Sequence, residues 1–217
     1  MQCDILETKT EEDCRQSWLE SSRILEENSV QKRLSADCSN YFHGHNSSSL
    51  YYEKWRNETN LAFSLVVHNQ IGLFEALLSS IFRPYHSYCI FVDAKATSRF
   101  KTLVKALIGC YKANFPKVSI FEPEQTHSIY WSDYSLLQAD FVCMTELLKR
   151  NKKWSHFLNQ AGTVMPQLNI QQMASFVLNV GEVDSIFIMN VISRYLIILI
   201  RWAQIISGRG CGIQVRK

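Results

Sequence analysis

At 217 residues, with 47% hydrophobic and 12% aromatic side chains, the chain suits one domain of ordinary size plus extensions, and it is apolar enough to exclude a disordered polypeptide. A net charge of +3 is too weak to single out nucleic acid or an anionic membrane surface as a partner. Seven cysteines occur without a CxxC pair or a Cys/His cluster at zinc-ligand spacing, so disulfides are a better reading than a metal.

Residues 1–55 begin acidic and Ser-rich and continue into the loop-like run YFHGHNSSS. Their only helical periodicity is short, near residues 17–25, and the segment reads as a stem-like extension. Two acceptor sequons, at Asn46 and Asn57, fit a secretory compartment. The first thirty residues contain no apolar run of signal-peptide type, so either a targeting segment lies outside these residues or the chain is cytosolic.

The stretch 61–93 organises the rest of the chain. LAFSLVV is rich in branched and aromatic residues, as in a strand buried on both faces, and it ends at His68 and Asn69. Ile71, Phe74, Leu77, Leu78 and Ile81 recur at helical spacing, and Pro84 stops the pattern. A second buried run, 88–92, ends at Asp93. Such a βαβ unit places a ligand at the carboxyl ends of its strands, here Val67 to His68 and Asp93.

The alternation continues. Phe100, Leu103, Val104 and Leu107 space a second helix ending near Gly109, and VSIF is a third strand. Residues 134–150 form a third amphipathic helix with basic residues in its last turn, where they suit the helix dipole. Residues 154–159 are a fourth short strand, and Asn169 caps a helix bearing Ile170, Met173, Phe176 and Val177. The expectation is an α/β domain over 56–180, its sheet mostly parallel with helices on both faces.

From about residue 184 the chain is apolar almost all round, through SIFIMNVISRYLIILIRWAQII. It is long enough to span a membrane, although Arg194 and Arg201 would lie inside the span. The alternatives are a helix belonging to the remainder of a larger fold, or a stretch not native to the protein. Residues 181–217 are therefore an apolar tail of uncertain origin.

A parallel sheet with polar strand ends suits a nucleotide, yet no GxGxxG follows the first strand and no GxxxxGK[ST] or GxSxG occurs. Asp93 is left as the group placed to accept hydrogen bonds from a base or ribose. SLVVH (64–68), SIFRP (80–84), YCIFVD (88–93), Gly109-Cys110 and IYWSDYSLLQADFVCM (129–144) together resemble the core 2 and I-branching β-1,6-N-acetylglucosaminyltransferases, the family that includes the protein xylosyltransferases. The resemblance covers about residues 38–178.

The resemblance implies a GT-A type fold, incomplete at its carboxyl end, and inverting transfer of N-acetylglucosamine from UDP-N-acetylglucosamine to a glycan on a protein. It implies no cofactor and no divalent metal, in keeping with Asp93-Ala94-Lys95, which lacks the second carboxylate of a DxD site. Val66, Val67, His68, Asp93 and Tyr130 would contact the donor nucleotide, with Trp131 competing for the role of Tyr130. Cys38 would pair with Cys110 and Cys89 with Cys143, while Cys14 or Cys3 would correspond to a cysteine paired near the family's carboxyl end. A thiol that the family carries near the donor site falls at Ala161.

The setting implied is the luminal side of the Golgi membrane, with an anchor outside these residues. No residue matches the family's catalytic base, and Glu122, Glu124, Asp133 and Glu182 carry no motif for it. The expectation is thus a donor-nucleotide half, truncated and inactive. The alternative is a non-catalytic UDP-sugar-binding or interaction protein of the same descent.

Overall fold

The computed structural model describes residues 11–35, 38–41, 60–130, 133–150, 154–179, 187–191 and 195–200. In chain order these form α1 (Glu11–Ser35), α2 (Cys38–Tyr41), β1 (Leu61–Val67), α3 (Ile71–Ile81), β2 (Ser87–Val92), α4 (Ser98–Asn114) and β3 (Ser119–Phe121). There follow α5 (Tyr134–Arg150), β4 (His156–Ala161), α6 (Ile170–Asn179), β5 (Phe187–Val191) and β6 (Tyr195–Ile200).

The sheet order is β3-β2-β1-β4-β6-β5. The first four strands are parallel, and β4–β6 and β6–β5 are antiparallel. β1 lies in the middle of the parallel part, which is why its residues are almost all buried. Because side chains alternate along a strand, Leu61, Phe63, Leu65 and Val67 enter one core with α1, α3, α4 and α6. Ala62 enters a second, smaller core with Phe91, Phe157 and the apolar face of α5. Helices therefore cover both faces, as expected from the alternating pattern.

The helix caps are local in two cases. Thr97 accepts from the Phe100 amide at the start of α4. Asn169 and Gln172 exchange side-chain and backbone bonds at the start of α6, a capping box. Two disulfides join Cys38 to Cys110 and Cys89 to Cys143, with Cα separations of 5.0 and 5.5 Å. These are the pairs that the resemblance implied. The second leaves β2 from within the strand rather than from its end.

Three elements differ from the sequence reading. The short helix near 17–25 is part of a 25-residue helix, α1. Its carboxyl half is docked by few apolar side chains, Val30 and Leu34, which leave a weak periodic signal. The fourth strand begins at His156 rather than at Trp154, which packs instead against Phe157. The apolar run after 184, which the sequence leaves open between a membrane helix, a helix of a larger fold and a non-native stretch, holds two strands among its described residues. Periodicity does not separate a buried strand from a buried helix in an all-apolar run. No helix of the described residues is long and apolar enough to cross a membrane. Asn46, Asn57, Trp131, Glu182, Arg194, Arg201 and Cys3, and the side chain of Cys14, lie outside the described residues.

Candidate functional site

The parallel strands β1, β2 and β4 end together on one edge, and backbone bonds fasten those ends. The Asp93 amide donates to the Val67 carbonyl at 2.9 Å, and the Gly162 amide to the Val66 carbonyl at 2.8 Å. Gly162 is there because nothing larger fits. A Cβ at that position would stand 2.2 Å from Val67 Cγ1 and 2.9 Å from the Val66 carbonyl oxygen. His68, next along the chain, is exposed at the same edge.

Asp93 is 5% exposed. Its Oδ1 accepts from the amide of Lys95 at 2.8 Å and from that of Ile129 at 3.4 Å, so one carboxylate oxygen organises the loop and Oδ2 is left for other partners. Lys95 supplies one. Its ammonium lies 3.9 Å from Asp93 Oδ2, donates to the Ile129 carbonyl, and sits 4.2 Å from the centroid of the Tyr130 ring. Tyr130 is 59% exposed, an aromatic face held at the strand edge with a cation against it. Val66 and Val67 end β1, His68 and Asp93 directly follow the ends of β1 and β2, and Lys95 lies against Tyr130, so the expected set stands at one edge of the sheet.

The loop carrying Tyr130 is held from the first turn of α5. The Tyr130 amide donates to Ser135 Oγ at 2.9 Å, and His127 Nε2 lies 2.8 Å from the Ser135 carbonyl oxygen. Asp133 Oδ2 accepts from the Ser135 amide, and backbone amides of that turn, Tyr134 first, hold its carboxyl below the usual carboxylate range. One turn further along α5 from Ser135, Asp140 points into the sheet. Its Oδ1 accepts from Ser64 Oγ at 2.7 Å and its Oδ2 from Asn159 Nδ2 at 3.0 Å. Ser64 and Asn159 are register partners on β1 and β4, so Asp140 bridges two strands from above. Burial pushes its carboxyl up to about 6, against the smaller opposite effects of Ser64 and Asn159.

Lys95, Gly162 and Asp140 are site features that the sequence reading did not assign. Lys95 stood out there only as a missing carboxylate. A glycine directly after a strand is the one signal that could have drawn attention to Gly162. Among the described residues no group of three His, Cys, Asp or Glu side chains could hold a metal ion.

Residues 61–205 match the family model described as Core-2/I-Branching enzyme. The human beta-1,3-galactosyl-O-glycosyl-glycoprotein beta-1,6-N-acetylglucosaminyltransferase 3 is 35% identical over 133 residues, covering 61% of this chain and 29% of that protein. The enzyme of bovine herpesvirus 4 with the corresponding name is 39% identical over 106 residues, 49% of this chain and 23% of its own length. The chain thus spans less than a third of the curated relatives it matches. A mannosyltransferase from Pyrobaculum calidifontis, solved with GDP-mannose and Mn2+, overlays 73% of this chain and 44% of its own at TM-score 0.39 and 9% identity, too loose to argue from.

Proposed function

The chain belongs to the Core-2/I-branching enzyme family, and from that premise we propose that its strand edge is the nucleotide half of a GT-A type donor site for UDP-N-acetylglucosamine. The observation that carries the reading is the convergence of the β1 end, Asp93, Lys95 and Tyr130 on one edge of a parallel sheet. Tyr130 offers a face on which uracil stacks. Asp93 Oδ2 and the strand-end backbone of Val66, Val67 and His68 offer acceptors and donors to the pyrimidine and ribose. The transfer proposed for the family site is β-1,6 branching of a protein-linked glycan with inversion, the linkage and sugar being those in the relatives' names.

Metal independence belongs to the same proposal. In Asp93-Ala94-Lys95 a cation stands two residues after the aspartate, where a DxD motif has its second acid. Lys95 neutralises Asp93 directly, so the edge is poor in the negative charge that would attract a divalent ion. The two disulfides support an oxidising compartment, and the setting proposed is the luminal side of the Golgi membrane.

These 217 residues are proposed to bind donor without turning it over. An inverting transfer needs a carboxylate to take the acceptor proton. Asp93 Oδ1 is held by backbone amides while Oδ2 faces Lys95 and is assigned to the donor, Asp133 is engaged by the first turn of α5, and Glu122 and Glu124 follow β3 at the far edge of the parallel strands. Calorimetry with UDP and a transfer assay with UDP-N-acetylglucosamine and a core 1 disaccharide test both parts. UDP binding that weakens about tenfold in Tyr130→Ala, as loss of a base-stacking face predicts, together with no transfer, is the expected result. Absence of UDP binding, or indifference to Tyr130→Ala, overturns the donor site; measurable transfer overturns the binding-only reading.

A further inference from the structure

α3 begins directly after the His68–Gln70 turn, and its start has no local cap. Gln70, the N-cap residue, is left-handed at φ 55°, ψ 63°, and makes no side-chain capping bond. Among the described residues it is the only non-glycine with positive φ, a conformation that persists where its surroundings hold it. The cap comes from 46 residues upstream: the Gly72 amide donates to Glu26 Oε1, a carboxylate of α1. A Cβ at Gly72 would stand 2.7 Å from that oxygen, so a glycine is what lets Glu26 approach.

The neighbouring helix is tied in the same way. Arg99, in the first turn of α4 and just beyond the Asp93 loop, pairs with Glu27 at 3.1 Å and donates to Asn28 and Gln31. At the other end, Cys38 is bonded to Cys110, and Asn114 donates to the Cys38 carbonyl, so α1 and α2 follow α4 in the same direction from its start to its end. Between these ties Arg33 pairs with Glu75, which also accepts from Tyr41. Residues 26–31 of α1 therefore lie across the starts of α3 and α4, the two helices that leave the donor-binding strand ends.

We infer that α1 is a built-in strap of the donor edge, and that Glu26 is a positioning residue holding the His68–Gln70 turn through Gly72. The inference rests on the donor-site reading above for its consequence, but not for its geometry. What looked in the sequence like a stem segment is, in its second half, part of the site's framework.

Hydrogen exchange on the ligand-free, disulfide-intact chain is the test, with UDP calorimetry beside it. In Glu26→Ala the amide at position 72 should exchange about tenfold faster or more, as expected when a bond to a charged acceptor is lost. Glu26→Gln, whose amide carbonyl still accepts, should stay within about threefold of the parent. Gly72→Ala, which displaces Glu26 from the opposite side, should free the same amide while improving helix propensity, so a general loss of fold cannot mimic it. In both loosened variants the UDP Kd should rise about three- to tenfold, with Glu26→Gln restoring it. Unchanged exchange in Glu26→Ala and Gly72→Ala overturns the inference, as does faster exchange with an unchanged Kd. If the parent chain binds no UDP, the donor-site reading falls, while the exchange comparison still decides whether Glu26 holds the turn.

Discussion

Asp140 sets a pH dependence that can be worked out from the structure. The carboxyl is 5% exposed, has no ion pair among the described residues, and takes both its hydrogen bonds from neutral donors, Ser64 and Asn159. Burial moves its pKa from an ordinary 3.8 to about 6. The folded state therefore holds this proton more tightly than the unfolded state does. Its contribution to stability is full below the unfolded value and is lost as pH rises through the folded one. At about 1.36 kcal/mol per pH unit, the displacement is worth ~3 kcal/mol across that window. Asp140→Asn keeps the shape and removes the charge, with Asn159 turning its amide to offer the oxygen. Urea denaturation in steps from about pH 4 to about pH 7.5 should show the variant gaining on its parent by ~2 to 3 kcal/mol over that range. Comparing the two cancels the histidines and the exposed acids. Parallel stability curves would refute the reasoning, and would mean that water or a rearranged Asn159 carries the charge.

Two further outcomes are expected from contacts at the same edge and beneath it. Gly162→Ala should lose ~1 to 3 kcal/mol of stability by overpacking against Val67 and the Val66 carbonyl, and should weaken UDP binding more than an alanine at exposed Leu168; equal effects at both positions would contradict the close approach. In material made through the secretory pathway, non-reducing peptide maps should recover Cys38–Cys110 and Cys89–Cys143, which close separations of 72 and 54 residues. Serine at both members of either pair should cost about 4 kcal/mol on the loop-entropy estimate, and free alkylation of all four thiols would reject the pairing.

The parallel core was legible in the residues because strand and helix periods are local properties. LAFSLVV is apolar on both faces, Ile71 to Ile81 repeats at helical spacing, and Asn169 sits three residues before Gln172, so β1, α3 and the start of α6 could be read without knowing their neighbours. The same holds for the address of the candidate site, since a polar residue closing each buried run marks the carboxyl edge of a parallel sheet. Four of its expected residues come from the end of β1 and the positions that directly follow β1 and β2.

What the tertiary structure decided depends on partners far apart in the chain. Nothing local distinguishes Glu26 or Glu27 from the other acids of α1, such as Glu12 and Glu20, which pair within their own helix. Their value arises from Gly72 and Arg99, residues that a folded sheet edge brings to them. Asp140 reads as a polar interruption of an amphipathic helix until Ser64 and Asn159, set side by side by strand register, give its oxygens a purpose. Lys95 became part of the site only when the 127–130 loop returned to it, since cation–ring contacts and loop closures carry no sequence period. The largely apolar segments 187–191 and 195–200 fit helix and strand equally by composition, and the free edge of β4 favours strand by supplying the hydrogen bonds that β6 takes up.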